Sequence, residues 1–189
     1  MSKMDHRIPW CTSEDWQGVT RFFHAMTLDL NPALVQVQTL ADQIRQAFEA
    51  LSDPMDVLCN ATCMACGDIC CKKATIWYDF KDLVYLHFAF GRLPETQIKK
   101  VLDKTGTPHC MHFTETGCNL SRLERPFVCT WYLCPTQKQV MTSHEQGPDH
   151  TLLETVDHLK MLRHQIESEF CRISAGKPHP KQGKTPCRI

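Results

Sequence analysis

A dense run of cysteines is the part of this sequence with the clearest capacity for chemistry. Residues 58–73 read LCNATCMACGDICCKK and contain Cys59, Cys63, Cys66, Cys70 and Cys71. A second, looser group follows, with Cys110, Cys118, Cys129 and Cys134. Thiolates hold zinc and iron–sulfur clusters, and paired thiols form disulfides or redox relays. The two groups therefore indicate a sulfur-based site.

A disulfide framework is one alternative, and two features of the chain speak against it. The N-terminal residues MSKMDHRIPWCTSEDW contain no apolar run of signal-peptide length, so we expect a cytoplasmic protein. Thiols in that compartment stay reduced unless a metal or catalysis uses them. Disulfide-stapled domains are also short and loop-rich, whereas this chain has 189 residues and long amphipathic stretches.

A radical SAM site is another alternative, because Cys59 begins a C-x3-C-x2-C pattern of the kind that holds a four-iron cluster in those enzymes. The surroundings do not match that class. Ala65 stands where the motif usually has an aromatic residue, and too few residues follow Cys71 for a barrel of about 200 residues. The role of Cys59 is left open, and we expect it to matter less for metal binding than the second group.

Metal binding is the interpretation that the spacing favours. Zinc takes four ligands, and Cys63 and Cys66 are spaced to present two thiolates to one ion. Iron–sulfur clusters take four thiolates spread over a larger object. The adjacent pair of Cys70 and Cys71 favours a cluster or two metals, because neighbouring side chains splay apart. The predicted metal ligands are Cys63, Cys66, Cys70, Cys71, Cys110, Cys118, Cys129 and Cys134.

Histidines supply the other candidate groups. His109 and His112 flank Cys110 and are able to replace a thiolate, although turn or surface positions are the simpler interpretation. No general base stands out beyond these two and His87. Catalytic residues are therefore left unassigned, and so is the question of whether the protein is an enzyme.

Three cysteines fall outside the two groups. Cys11 and Cys171 lie on other predicted elements and are expected to be core or surface thiols. Cys187 lies in the tail GKPHPKQGKTPCRI, residues 176–189, which has no apolar periodicity and is predicted to be disordered. We therefore expect none of the three to bind the metal.

Amphipathic helices flank the cysteine groups and must position them. Residues 14–29 place apolar side chains on one side. Asn31 and the proline after it predict the start of a second helix, which Pro54 is expected to end. Apolar residues at three- and four-residue spacing mark a long helix over 149–173.

Shorter elements are predicted around the cysteines. They are a strand over 74–78, a helix over 80–90 ending at Gly91, a helix over 95–104 ending at Gly106, two short strands within 109–120 and a helical turn within 125–133. The predicted fold is mainly α with short β segments, a helical domain around a cysteine-ligated metal centre. The chain is predicted to consist of an N-terminal helical segment (1–58), a metal-binding domain (59–136), a segment with the C-terminal helix (137–175) and a disordered tail (176–189).

The charge balance limits the classes of molecule that we expect this protein to bind. Lys plus Arg and Asp plus Glu both count 21, so the formal net charge is zero and nucleic acid is not an expected partner. No stretch approaches the roughly 20 apolar residues of a membrane span, so no membrane partner is expected. A protein partner remains open, and the sequence does not indicate its identity or the oligomeric state.

The cysteine pattern resembles a known family. Residues 63–71 and the block GCNLSRLERPFVCTWYLC, residues 117–134, look like the CxxCxxCC cysteine-cluster family described as zinc- or iron-chelating. One difference is that three residues, instead of the family's two, precede the double cysteine. Related clusters occur in flagellin lysine N-methylases, but this chain lacks the length for a methyl-donor domain. The resemblance implies metal binding and supplies no reaction.

Arg125 and Pro126 lie inside the family-like block and allow two interpretations. A proline in the first turn of a helix points free N–H groups at what precedes it, and together with an arginine it would stabilise a negatively charged thiolate centre. Alternatively, Arg125 pairs with Glu124 or Glu115 at the surface. The sequence does not separate the two.

Three functions remain from the sequence. The first is an iron–sulfur protein for electron transfer or redox sensing, with one centre assembled from two cysteine blocks. The second is a structural zinc domain that presents its terminal helices to a protein partner. The third is a metal-dependent enzyme of unknown reaction, which would need an open coordination position.

Overall fold

The structure, a computed structural model, describes residues 8–28, 31–63, 66–67, 69–143 and 150–177. Its helices are α1 (Ser13–Leu28), α2 (Leu34–Cys63), α3 (Cys70–Lys73), α4 (Phe80–Phe90), α5 (Val128–Trp131), α6 (Pro135–Ser143) and α7 (His150–Ile173). Two antiparallel hairpins join β1 (Lys100–Leu102) to β2 (Pro108–Cys110) and β3 (Phe113–Thr114) to β4 (Gly117–Cys118). The mainly helical prediction is confirmed. No helix in these ranges has the length and apolar character that crossing a bilayer requires.

Three helices, α2, α4 and α7, form the frame of the molecule and pack against one another. α1 adds Phe23, whose ring stacks on that of Phe170 with centroids 5.4 Å apart. Buried side chains of the frame include Val37, Ile44, Phe48, Leu51, Leu83, Val84, Leu159, Ile166 and Phe170. The core therefore draws on each of the predicted segments 1–58, 59–136 and 137–175, and the predicted tail lies outside the described residues beyond Lys177.

α2 is longer than the sequence predicts. The expected end at Pro54 is wrong, because the helix continues to Cys63. A proline in a helix interior removes a backbone donor and costs about 3 kcal/mol. Met55 and Leu58 remain buried beyond it, so the apolar stripe continues and offsets that cost. Cys59 and Cys63 consequently lie on a helix of the frame.

The predicted helix over 95–104 is also wrong, since this part of the chain forms β1 and its turn. The Asp103 carboxylate accepts hydrogen bonds from the backbone amides of Thr105 and Thr107, at 2.8 and 2.9 Å. Such a side chain stabilises a turn and competes with helical backbone hydrogen bonding. β1 then pairs with β2, which brings Cys110 into a hairpin.

The predicted strand over 74–78 does not form, because a glutamine side chain takes the place of a strand partner. The Tyr78 amide donates to Gln97 Oε1 at 2.7 Å, and the Tyr78 carbonyl accepts from Gln97 Nε2 at 3.1 Å. Gln97 is 1% exposed, so these bonds lie in the interior. They satisfy an extended segment that would otherwise leave its backbone groups unpaired.

The remaining short elements agree with prediction. α4 ends at Gly91, which has a left-handed φ of 66°. Its start carries a capping box, in which Asp79 accepts from the Asp82 amide and Asp82 accepts from the Asp79 amide. The β3–β4 hairpin occupies the predicted strand pair within 109–120, and α5 occupies the predicted helical turn within 125–133.

A buried ion pair ties α5 to the frame. Arg163 of α7 donates to Asp82 at 2.6 Å and to Asp79 at 2.9 Å. Asp82 also accepts from the backbone amide of Phe127, the residue before α5, at 3.1 Å. Burial raises the pKa of Asp82 to about 6 even though the Arg163 charge opposes the rise, and the guanidinium favours the ionised carboxylate. α5 carries Cys129, so this network holds one cysteine relative to two frame helices.

Candidate metal centre

The end of α2 presents two thiols that face the same buried amide. Cys59 and Cys63 are one helical turn apart, and Cys59 adds to the rise that burial causes in the pKa of Cys63. Gln137 of α6 donates from Nε2 to the Cys59 sulfur at 3.6 Å and to the Cys63 sulfur at 4.0 Å. Gln137 is only 5% exposed, so its amide is committed to these sulfurs.

Cys134 joins these thiols from the start of α6. The Gln137 amide donates to the Cys134 sulfur at 3.5 Å, and the Cys134 amide donates to Gln137 Oε1 at 3.1 Å. This is the reciprocal pattern of a capping box, with cysteine in the place of serine or threonine. The N-terminal end of a helix favours negative charge, so the site suits a thiolate. We call Cys59, Cys63 and Cys134 the Gln137 group.

Arg122 places a positive charge beside the Gln137 group. Its side chain is 3% exposed and pairs with Asp56, with Nε to Oδ1 at 3.1 Å. Nη2 lies 3.9 Å from the Cys59 sulfur. Nη1 has no hydrogen-bond partner within the described part of the chain. A buried guanidinium of this kind would be better compensated if the neighbouring sulfurs carried negative charge.

Four further thiols come together from separate elements, and we call them the four-thiol group: Cys71, Cys110, Cys118 and Cys129. α3, which carries the first, packs against β2, which carries the second. The β3–β4 pairing sets Phe113 opposite Cys118. A hydrogen bond with Cys70 and then burial raise the pKa of Cys71, and the charges of Cys129 and Cys110 add to the rise.

The same mutual influence holds among the other members of the four-thiol group. Burial first, and then the charges of Cys118 and Cys110, raise the pKa of Cys129. Burial also raises the pKa of Cys110, with Cys118 adding to it, while the backbone amides of His112 and Phe113 hydrogen bond to its sulfur and lower it. The sulfurs are therefore close enough for each thiolate to disfavour the next.

Arg125 lies beside Cys129, and no ion pair of its side chain is found among the described residues. Its Nε donates to the Leu120 carbonyl at 3.0 Å, and its charge lowers the pKa of Cys129 against the larger effect of burial. Glu124, one of its two predicted partners, pairs with Arg92 instead. Of the two sequence interpretations, the arrangement favours an arginine that compensates thiolate charge.

Cys70 and Cys66 complete the predicted ligands. Cys70 is exposed and adjoins both groups, since it hydrogen bonds to Cys71 and its charge adds to the raised pKa of Cys63. Burial raises the pKa of Cys63 to about 11, and Cys59 adds to the rise. A hydrogen bond with Thr62 acts in the opposite direction. Cys66 is partly buried, and its amide donates to the Cys63 carbonyl at 3.2 Å.

The thiols are near one another without forming a closed coordination shell. Among the residues that the structure describes, no three or more Cys, His, Asp or Glu side chains stand in a geometry able to hold a metal ion. The assignment of the eight cysteines as ligands therefore stays a prediction.

Cysteines outside the two groups have different surroundings. Cys11 is disulfide-bonded, so the expectation of a free thiol there is wrong. Cys171 is a partly buried free thiol on α7, and burial raises its pKa, with Glu167 adding to the rise. Cys187 lies outside the described residues. Cys171 thus provides a comparison thiol whose pKa is shifted by no other cysteine of the described chain.

The three candidate histidines occupy unlike places. His87 is buried in the last turn of α4, with its ring 5.2 Å from that of Phe23. His112 is partly buried, with Nδ1 2.9 Å from Asn119 Oδ1. His109 packs edge-on against Phe113. His87 therefore belongs to the helical core, while the other two remain beside Cys110.

His87 leads to a prediction about acid stability. Burial, with His24 adding to it, lowers the pKa of His87. A folded pKa below the unfolded value of about 6.5 gives stability that is present above that value and is lost as pH falls. Asp82, whose raised pKa of about 6 acts in the opposite direction over the same window, is present in both proteins, so the difference between them reports His87. We expect acidification from about pH 7.5 to about pH 5.5 to lower the unfolding free energy of the wild type relative to that of His87→Phe. Urea titrations at each pH measure it, with exposed His164→Gln as the control. Identical pH profiles for His87→Phe and the wild type would contradict the prediction.

Several residues of this site cannot be identified from the spacing of the cysteines alone. Gln137 and Arg122 hydrogen bond to sulfurs, and neither was singled out from the sequence. The segment CPTQ, which begins at Cys134, does have the N-cap and N3 spacing of a capping box, once cysteine is allowed in the N-cap position. Pro135 in the first turn strengthens that signal.

Comparisons with known proteins add no relatives. The chain matches no protein family, no curated protein and no solved structure. What can be said of its function therefore rests on its own residues and their arrangement.

Proposed function

We propose that this protein binds metal through its cysteine thiolates, as an iron–sulfur cluster used for electron transfer or redox sensing. The observation that carries the proposal is the four-thiol group, in which Cys71, Cys110, Cys118 and Cys129 come from separate elements and influence one another's charge. Four thiolates are the usual ligand set of such clusters. Unrelated core thiols have no reason to gather in this way.

The electrostatics of the thiols support a cationic occupant. Burial and mutual repulsion raise the pKa of Cys63, Cys71, Cys110 and Cys129, so the protein alone keeps these thiols protonated. A metal displaces the protons and relieves the repulsion, because thiolate is the form that binds. Arg122 and Arg125 stand where they would balance the negative charge that an all-thiolate centre retains.

Zinc is the alternative occupant, and it would make the protein a structural domain that offers its helices to a protein partner. Zinc sites built from four cysteines use the same ligands as iron–sulfur clusters. The neighbouring Cys70 and Cys71 favour the cluster over a single zinc ion, because a cluster is a larger object with more than one metal atom to receive two adjacent thiolates. We propose a cytoplasmic location, in which the cysteines of the two groups, all free in the described chain, remain available to metals although Cys11 is oxidised, without a nucleic-acid or membrane partner.

Purification without oxygen tests the proposal directly. We expect a brown protein with visible absorption that contains iron and acid-labile sulfide. A colourless protein with stoichiometric zinc would support the structural alternative. A protein that takes up neither metal, even after reconstitution with iron and sulfide or with zinc, would overturn metal binding.

Single substitutions should show that the four-thiol group binds the metal. We expect Cys118→Ser and Cys129→Ser to lower metal content per chain, because a serine hydroxyl is a poor substitute for a soft thiolate. Cys171→Ser is the matched control, since its thiol is partly buried but lies apart from the other cysteines, and it should keep full content. Elemental analysis of the anaerobically purified variants is the measurement. Equal content in all three variants would contradict the assignment.

A metal-dependent enzyme is the remaining alternative. The observation that supports it is a cavity close to Cys110. The cavity, about 230 Å³, is lined by apolar and polar side chains that include Tyr78, Met111, His112, Leu120 and Glu124. Met111 and His112 directly follow Cys110 in the chain. An enzyme would require the metal to keep an open ligand position, which replacement of a single thiolate by water would provide.

A further inference from the structure

Cys59 is a thiol that the proposed metal centre does not use, yet two buried side chains donate hydrogen bonds to its sulfur. Arg122 Nη2 lies 3.9 Å from the sulfur, and Gln137 Nε2 lies 3.6 Å from it. Arg122 is 4% exposed and Gln137 is 5% exposed, whereas Cys59 is only partly buried. A small molecule can therefore approach this sulfur, while the donors on its inner side are held in place by the protein.

The guanidinium of Arg122 turns two parallel donors towards Cys59, and one of them has no acceptor. Nε and one N–H of Nη2 donate to Asp56 Oδ1. The remaining N–H of Nη2 is the one that donates to the Cys59 sulfur. In a planar guanidinium this N–H is parallel to an N–H of Nη1. Nη1 thus points beside the Cys59 sulfur, and it is buried without a hydrogen-bond partner within the described part of the chain.

We propose that Cys59 is an oxidation site, at which a small hydroperoxide such as hydrogen peroxide converts the thiol to a sulfenic acid. The added oxygen is bonded to the sulfur, and there it accepts a hydrogen bond from the unpaired Nη1 of Arg122. This inference goes beyond the proposed function and does not depend on a metal, because Cys59 is not one of the eight proposed ligands.

The reaction requires the peroxide and no other reactant. The Cys59 sulfur attacks one peroxide oxygen, so that a sulfur–oxygen bond forms while the oxygen–oxygen bond breaks. The sulfur loses two electrons and the peroxide gains them. The leaving hydroxide takes the proton that the thiol gives up and departs as water. The oxygen that remains on the sulfur keeps its own proton, which makes the product a sulfenic acid.

The unpaired donor of Arg122 favours both the product and the path to it. A buried N–H without an acceptor destabilises the protein, and an oxygen placed on the neighbouring sulfur removes that cost. Negative charge also develops on the leaving oxygen as the oxygen–oxygen bond breaks. A fixed guanidinium beside the sulfur stabilises that charge without having to reorganise.

The same contacts select Cys59 among the thiols of the Gln137 group. Gln137 donates to the sulfurs of Cys59, Cys63 and Cys134. Arg122, by contrast, donates to the sulfur of Cys59 and to no other sulfur among the described residues. Cys59 is thus the sulfur at which the two buried donors meet, and we expect oxidation there first.

Trapping with dimedone, which reacts with sulfenic acids and not with thiols, tests the inference on the full-length protein purified without oxygen. The protein is exposed to a small excess of hydrogen peroxide with dimedone present, and peptide mass spectrometry locates the adduct. We expect the adduct at Cys59 before any at Cys63, Cys134 or the comparison thiol Cys171. Recovery of Cys59 as a free thiol, or in a disulfide despite the dimedone, would overturn the proposal.

Arg122→Lys tests the unpaired donor while keeping a positive charge beside Asp56, because lysine lacks the parallel N–H groups of a guanidinium. We expect the rate of adduct formation at Cys59 to fall by about 10-fold, the factor that one charge-assisted hydrogen bond supplies. The rate at Cys171 should not change. Arg45→Lys, on the same helix as Cys59 and paired with Glu49, is the control and should react like the wild type. An unchanged rate in Arg122→Lys would overturn the role of the guanidinium.

Two further measurements keep the outcome decisive. Gln137→Leu removes the other buried donor and should also slow the reaction at Cys59, so it provides the test if circular dichroism shows that Arg122→Lys does not fold. Metal analysis of the same samples separates this inference from the proposed function. A protein without metal that forms the adduct at Cys59 overturns metal binding alone, whereas a metal-loaded protein whose Cys59 resists peroxide overturns the oxidation site alone.

Discussion

Replacing Arg163 by Met should lower the unfolding free energy by about 3–5 kcal/mol, the cost of leaving a buried charge without its partner. Arg163 is 2% exposed at its side chain, and Asp82 is 5% exposed. Without the guanidinium, the donors that remain to Asp82 within the described part of the chain are the backbone amides of Phe127 and Asp79. Loss of the stacking of Arg163 on the Phe127 ring, 4.4 Å away, adds to the effect. Urea denaturation followed by circular dichroism measures the change.

A surface pair on the same helix is the matched control. Arg172 is 66% exposed and pairs with Glu169, so Arg172→Met should change the unfolding free energy far less than Arg163→Met does. Adding Asp82→Asn to Arg163→Met should recover much of the loss, because the amide oxygen still accepts from Phe127 while the charge is gone. A double variant as unstable as the sum of its single variants would show that the ion pair is not the cause.

On the proposed function, removal of the metal should loosen the cysteine-bearing elements far more than the frame. α3 and α5 each have four residues, and the hairpin strands have two or three, too short to be stable alone. Metal ligation couples to folding locally, so we expect amide hydrogen exchange over 100–134 to speed up by at least about 10-fold after chelation. α7 has its own apolar face, with Leu159, Ile166 and Phe170 buried, and should change little.

α2 makes this experiment sharper because one helix enters both regions. Residues 37–51 pack in the frame, whereas the turn from Cys59 to Cys63 belongs to the thiol site. Protection should therefore fall at the C-terminal turn of α2 and persist in its N-terminal half. A uniform loss along α2, matched by an equal loss in α7, would mean that the metal stabilises the whole fold and not the site.

Sequence patterns predicted those elements whose signals are local. Gly91 ends α4 because its backbone is left-handed, and Asn31 stabilises the first turn before α2 by accepting from the Ala33 amide at 3.0 Å. The apolar spacing over 149–173 is equally self-contained, and α7 covers it from His150. In each case the residues that decide the structure lie within a few positions of one another.

Interactions between distant residues decided two of the three elements that were predicted wrongly, while the helix over 95–104 was displaced by the local turn at Asp103. Pro54 is a helix breaker by local rules, yet burial of Met55 and Leu58 against the rest of the core carries α2 onward. The extended segment at Tyr78 depends on Gln97, which lies 19 residues away. No window short enough to show a periodicity contains both members of such a pair.

The candidate site shows the same division. Cysteine spacing was sufficient to select the thiols as a group, since density of one reactive residue type is a local property. Cysteine spacing was not sufficient to divide the thiols into the Gln137 group and the four-thiol group. Gln137 lies 78 residues after Cys59 in the sequence and contacts it only in the folded chain. The continuation of α2 mattered as well, as it alone gives Cys59 and Cys63 a common face.

The link between α5 and α7 also sets an order of events during synthesis. Arg163 lies 84 residues after Asp79, and every cysteine up to Cys134 leaves the ribosome before it. Ribosomes add about 5–20 residues per second, so these cysteines exist for seconds before Arg163 is made. During that time Asp82, which accepts from the Phe127 amide, lacks the guanidinium that compensates its charge. The cysteine that α5 carries can reach its final place only after Arg163, which lies 34 residues beyond Cys129, has been made.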